Sequence, residues 1–190
     1  MSFVTDGSGN VVSFAEYTDV VQKDQRILEA NELRIPAESG FTDVTDFVED
    51  MLEKSTQRIL LKIKASTWWQ AYNNYVGNHI TSLNNLPNVN PNRIDPGDAL
   101  GRRQQFTDLC VYYCFKEYLL PLIGQFDTDS ADLAKINYYS NKFNELFEEL
   151  IHMADWYDAD ADGTVQSDEV AYSYSSVRRT RRRRSLVQVR

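Results

Sequence analysis

Histidine and cysteine are scarce in this chain, with 2 of each among 190 residues. That scarcity leaves no zinc-spaced ligand set and no disulfide framework. Cys110 and Cys114 sit four apart in an apolar helical pattern, a spacing that suits two small buried hydrophobes better than a bridge. Such thiols fit a reducing interior. His79 lies in a loop-like stretch and His152 on a helix edge, so neither is expected to be a ligand. Glycine and proline are also few, 8 and 5, which speaks against a many-turned all-β fold. No window approaches eighteen apolar residues, so no transmembrane helix is expected. The first residues lack the basic-then-apolar pattern of a secretory signal. A glycine-rich phosphate loop is missing, as is any Ser or Cys set beside a base, so catalysis is not expected.

What the chain does have is helical periodicity. The stretch Phe3-Val4-Thr5, a turn at Asp6 to Asn10, and Val11 to Phe14 reads as a small hairpin or extended arm. Three or four residues per side cannot stand alone in water, so the arm is expected to lean on something else. Tyr17 to Glu32 has helical spacing, ended by Pro36 and Gly40. A stronger helix is expected from Thr42 or Asp43, where an acidic first turn suits the helix dipole. Val44, Phe47, Val48, Met51, Leu52, Ile59, Leu60 and Ile63 form its apolar stripe. Trp68, Trp69, Tyr72 and Tyr75 follow, a cluster suited to capping a core or filling a subunit interface. A base-stacking platform is the rival reading, with few basic residues nearby to support it.

Residues 77–97 are Asn- and Pro-rich and longer than an ordinary connection, which suggests a partner-contacting loop. A third helix is expected over about Asp98 to Leu120, apolar nearly all round and stopped by Pro121 and Gly124. A fourth should start near Thr128 or Asp129 and run to about Tyr157. Tyr138, Phe143, Leu146, Phe147, Leu150, Ile151 and Ala154 form its expected inner face. The fold class is therefore all-α: a helical bundle of about four helices with an extended N-terminal arm, a long loop and a basic C-terminal arm. Residues 1–35 form the arm and a short helix, and residues 36–157 the bundle. Residues 158–169 form an acidic loop, and residues 170–190 a short helix and the Arg-rich arm.

The acidic loop carries the clearest chemistry. Asp158, Asp160 and Asp162 occupy positions 1, 3 and 5 of a twelve-residue stretch, with Gly163 at 6 and Glu169 at 12. This resembles the calcium loop of EF-hand proteins. Ca²⁺ takes six to eight oxygens, and alternate residues of a tight loop can turn carboxylates inward. Thr164 would offer its backbone carbonyl, Gln166 would act directly or through water, and Glu169 would supply two oxygens. Asp127 to Asp132 lacks the glycine and the closing Glu, so no second loop pairs with the first. A single loop fits a structural Ca²⁺ better than a sensor. The ion would also neutralise an acidic knot formed with Asp155 and Asp168.

The tail follows. Residues 178–190 hold seven Arg and no acid, leaving 13 basic against 28 acidic residues, net −15, in the rest of the chain. An acidic body with a basic tail can attract further copies of itself or an acidic surface. Arg178, Arg179, Arg181, Arg182, Arg183 and Arg184 precede Leu186, Val187 and Val189, an alternating apolar end that could add a strand to a partner's sheet. Nucleic-acid contact and a solvated tail are the other two readings.

The order of parts resembles the head–tail connector (adaptor or neck) proteins of tailed bacteriophages. The parts are an extended arm, a stripe ending in Gln57-Arg58-Ile59-Leu60-Leu61-Lys62-Ile63-Lys64-Ala65, an aromatic cluster and a long loop. An aromatic helix with Leu109-Cys110-Val111-Tyr112-Tyr113, a Tyr-rich helix, an Asp-x-Asp-x-Asp-Gly turn and a basic arm complete it. The resemblance covers residues 40–190 and leaves residues 1–35 unmatched. It implies a virion protein, assembled in the host cytoplasm as a ring of about twelve copies below the portal protein. The arm would dock on the portal, a further neck or tail protein would bind on the other side, and DNA would pass through the lumen without sequence-specific binding. No membrane is involved. The alternatives are a soluble single-EF-hand calcium-binding module and a small nucleic-acid-binding protein that uses the Arg tail.

Overall fold

Asp43 starts the first long helix, its Oδ1 accepting the Thr45 N–H at 2.9 Å, as a helix-capping carboxylate does. The structure is a computed structural model and describes residues 3–25, 35–36, 39–69, 97, 101–123, 131–158 and 164–165. In chain order the elements are β1 (Val4–Thr5), β2 (Val11–Ser13), α1 (Tyr17–Lys23), α2 (Val44–Lys64) and α3 (Arg103–Cys114). A π-turn (Phe115–Leu119), α4 (Leu120–Ile123) and α5 (Ala131–Met153) follow. The described chain is mostly helical, with one small antiparallel sheet. It divides into two units, residues 1–59 with 103–149 and residues 60–102 with 150–190.

In the first unit the expected hairpin forms, with Val4 opposite Ser13 and Thr5 opposite Val11. Asp6 organises its turn: Oδ1 accepts the N–H groups of Ser8 and Asn10, and Oδ2 accepts from the Asn10 amide. Those bonds, the Asn10 side chain first, hold the Asp6 carboxyl below its ordinary pKa. Gly9 takes φ 83°, open to residues without a Cβ clash. The arm does lean on the helices. Phe14, 1% exposed, meets Phe3 at 5.0 Å and Phe106 at 5.1 Å between ring centroids. Its backbone is satisfied by two threonines, as Thr56 Oγ1 accepts the Phe14 N–H at 3.0 Å and Thr107 Oγ1 donates to the Phe14 carbonyl at 2.8 Å. A β-strand end buried against helices needs such partners, because no third strand supplies them.

The α2 stripe is buried at Phe47, Val48, Met51, Leu52, Ile59 and Ile63, while Val44 and Leu60 are half-buried. Ser55 and Thr56 are buried polar members that the apolar pattern did not include. Ser55 returns its hydroxyl to the Met51 carbonyl at 2.7 Å. Cys110 and Cys114 are unbridged and buried, as expected. Burial pushes the Cys110 thiol up to about 12, so it is inert.

Four helix limits differ from the sequence reading. The third helix, expected from about Asp98, starts at Arg103, with Gly101 and Arg102 in a turn. The helix expected over Tyr17 to Glu32 ends at Lys23, where Asp24 leaves helical geometry at φ −153°; residues 26–34 lie outside the described residues. Pro121 does not stop the third helix. The ladder widens first, with the Leu120 N–H bonding to the Phe115 carbonyl, and the chain then passes through Pro121 to Ile123. A widened turn relieves the clash that a proline ring makes with the carbonyl four residues back. The last long helix ends at Met153 rather than near Tyr157. On that helix Tyr139, at 8% exposure, takes the inward place expected of Tyr138, which is 55% exposed. Tyr139 stacks on Phe115 at 4.7 Å, and Tyr113 meets Phe143 edge-on at 5.2 Å. The expected caps at Thr128 and Asp129, and all of the long loop except Gly97, lie outside the described residues.

Candidate functional site

The acidic loop begins where α5 is turned sharply, within the second unit. Ala154 has φ 55°, the one non-glycine residue with positive φ among the described residues. Its N–H still bonds to the Leu150 carbonyl at 3.1 Å, and the left-handed conformation ends the helix there. For alanine that conformation costs about 1–2 kcal/mol, so neighbouring contacts must hold it.

Those contacts come from residues 101–102. Arg102 grips Asp155 with two bonds, Nε to Oδ1 at 2.6 Å and Nη2 to Oδ2 at 2.7 Å, a fork that fixes direction as well as distance. The guanidinium holds the Asp155 carboxyl below the usual carboxylate range. Gly101 donates its N–H to the Trp156 carbonyl at 3.2 Å. A Cβ at residue 101 would lie 2.5 Å from the Asp155 carbonyl oxygen and 3.1 Å from the Trp156 Cα, so only glycine allows this approach.

Aromatic rings then lock the following residues. Trp156 is fully buried and lies 4.4 Å from Trp68 between centroids, and Tyr157 meets Trp68 edge-on at 5.5 Å. Trp68 and Trp69 are each 7% exposed. They belong to a core, and the base-stacking alternative for them is overturned, because stacked bases need an open ring face. Tyr72 and Tyr75 lie outside the described residues.

Asp158, the first residue of the calcium-type loop, is 1% exposed directly after this cluster. Thr164 is exposed and Val165 half-buried, and the Val165 Cγ2 lies 3.3 Å from the position of a Gly101 Cβ. The structure therefore fixes one predicted carboxylate ligand and places Thr164. Asp160, Asp162, Gln166 and Glu169 lie outside the described residues, as do Arg178 to Arg184 and Leu186, Val187 and Val189. Among the described residues no three His, Cys, Asp or Glu side chains gather. The Asp155 carboxylate is bound by Arg102, and Asp168, its expected neighbour in an acidic knot, lies outside the described residues. His152 is exposed on α5.

The grip of Gly101 and Arg102 on the helix exit was not legible as a site. The signal was small: a Gly-Arg pair ahead of one helix and an Asp-Trp pair after another, more than fifty residues apart. No family model matches the chain, and no curated protein or solved structure matches it either.

Proposed function

We propose that this chain is a structural protein of a tailed-phage virion, a head–tail connector whose helical protomers assemble as a ring below the portal. The observation that carries this is the built base of the acidic turn. A left-handed residue, a two-bond Arg102–Asp155 pair and a buried tryptophan fix the direction in which the chain leaves α5. An exit of that kind suits a protein that must aim an arm at a partner. The charge division supports the same reading, since a −15 body repels DNA in a channel while seven arginines seek an acidic surface.

Ca²⁺ is the structural ion of this elbow in the proposal. The donor set of carboxylates, an amide and a backbone carbonyl is all oxygen, which suits a hard cation. Asp158 would hold it from the gripped side, and Asp160, Asp162 and Glu169 from the rest of the loop. The role is to stiffen the turn, and the helical protomer would be a bundle of about four helices.

Light scattering on the purified chain, with co-purification against a portal protein, tests the assembly. A ring mass or portal capture is expected, and a strict monomer that ignores the portal refutes the proposal. DNA binding that falls steeply with salt and vanishes on deleting residues 178–190 would favour the nucleic-acid alternative. For the ion, calorimetric Ca²⁺ affinity should fall by about tenfold or more in Glu169→Ala, which loses two oxygens. Unchanged binding in that variant refutes the loop assignment.

A further inference from the structure

The first unit has an apolar cleft of about 430 Å³, walled by Phe47 and Met51 of α2, by Tyr118 of the π-turn and by Pro121 and Leu122 of α4, with Glu117 among its lining. That volume is in the range of ligand-sized sites, about 300–1,000 Å³. Leu122 is 40% exposed there, and the Glu117 side chain is 46% exposed. We infer that this cleft receives residues 185–189 from the C-terminal arm of a second copy of the chain, with the preceding arginines lying along the acidic start of α2. This rests on the ring reading above, because the occupant comes from a neighbour, and it puts a neighbouring copy in the place of the portal as the surface the arm docks on.

Charge and length select that occupant. From Asp43 to Glu53 the α2 stretch holds five acids, Asp43, Asp46, Glu49, Asp50 and Glu53, and no base. Phe47 and Met51 of the cleft wall belong to the same stretch. Residues 178–184 hold six arginines and lead directly into Leu186, Val187 and Val189. Seven extended residues cover about 23 Å, and ten helical steps about 15 Å. An arginine run can therefore span the whole acidic stretch while its apolar end enters the cleft. Every copy carries both halves of this match, the cleft and the arm. Such a head-to-tail contact closes into a ring when its rotation allows.

Cysteine cross-linking of the full chain tests the contact. Leu122→Cys and Val187→Cys are prepared separately and mixed under mild oxidation. Cys110 and Cys114 are buried with raised thiol pKa values and stay out of the exchange. A disulfide-linked pair is expected to form about tenfold or more faster than in a mixture of Leu61→Cys with Val187→Cys. Leu61 is the control because it is 56% exposed and outside the cleft. Raising salt should remove most of that excess. A rate equal to the control overturns the inference. So does a double Leu122→Cys, Val187→Cys chain that links only to itself, because the arm then folds onto its own body. Light scattering of the linked sample separates the two ideas: a link that stops at dimer mass keeps the docking and overturns the ring. A ring that forms without the link overturns the docking alone.

Discussion

Replacing Gly101 with alanine should loosen the elbow, and the size of the effect follows from three distances. The new Cβ would lie 2.5 Å from the Asp155 carbonyl oxygen, 3.1 Å from the Trp156 Cα and 3.3 Å from the Val165 Cγ2. Close carbon–oxygen contacts are seen near about 3.3–3.6 Å, so the two backbone segments must part by roughly 1 Å. The first two neighbours are backbone, and neither moves cheaply. Asp155 is bound by Arg102, and Trp156 is packed on Trp68. Overpacking of this kind costs about 1–3 kcal/mol, and losing the Gly101 N–H bond to the Trp156 carbonyl adds about 1 kcal/mol. The restricted unfolded chain returns about 0.4–1 kcal/mol. The net loss is about 1–3 kcal/mol, or a Tm lower by roughly 2–12 °C for a chain of this length.

The assay has a built-in local reporter. All 3 tryptophans of the chain, Trp68, Trp69 and Trp156, lie in the second unit. Tryptophan emission therefore follows the elbow, while far-ultraviolet circular dichroism follows the helices as a whole. In Gly101→Ala the emission transition should move down and separate from the helical one. Gly7→Ala is the control, since a Cβ there meets nothing within 4 Å. Equal emission midpoints for Gly101→Ala and the parent chain would refute the claim that this close approach holds the turn.

Two further outcomes are expected from the fold, beside the Glu169→Ala calcium and cysteine cross-linking tests above. Thr56→Val removes the acceptor of the Phe14 N–H and should cost about 1–3 kcal/mol in urea unfolding; a loss below about 0.5 kcal/mol refutes the anchoring role of Thr56. Arg102→Met should flatten part of the acid dependence of stability. Because Arg102 holds the Asp155 carboxyl below its unfolded pKa of about 3.9, the pair stabilises fully above that value, and the contribution is lost as pH falls through the lower folded value. The Asp155 side chain is 37% exposed, so solvent screening limits the difference at pH 6 to about 1 kcal/mol or less. Urea titrations at about pH 6 and pH 2 should show that difference closing, and a constant difference refutes the linkage.

Periodicity located α2 and the middle of α3 and α5 because a 3.6-residue repeat of apolar side chains is a local signal. It failed where a distant residue decides the local geometry. Tyr138 and Tyr139 are adjacent and chemically identical, and Tyr139 is the buried one, stacked on Phe115, close to Tyr112 and donating its hydroxyl to Asp24. Thr56 and Thr107 had no place in the apolar pattern, yet each satisfies one side of the Phe14 peptide. Pro121 read as a stop, but the wider π-turn before it relieves the clash that proline makes in a regular helix. The candidate site divides in the same way. Its ligand spacing was legible from residues 158–169 alone, whereas its anchoring depends on Gly101, Arg102 and Trp68, none of them near it in sequence.

That division says how the elbow works. Glycine at residue 154 would let the chain turn there without help, because it adopts positive φ at no steric cost. Alanine does so only when surrounding contacts exceed the cost of about 1–2 kcal/mol. The turn is thus imposed by Arg102, Gly101 and the tryptophan pair, and not by the local sequence. Loss of any of them weakens the constraint on Ala154 and, four residues later, on Asp158. In the proposed connector, an ion bound at residues 158–169 acts on the same constraint from the other side. Ca²⁺ binding and the aromatic cluster should therefore be coupled, and the coupling free energy is the same whichever is perturbed first. A Gly101→Ala chain should bind Ca²⁺ more weakly, and saturating Ca²⁺ should stabilise it against unfolding less than it stabilises the parent chain, by the same free energy. Equal affinity and equal stabilisation in the two chains would mean the loop and its base are independent.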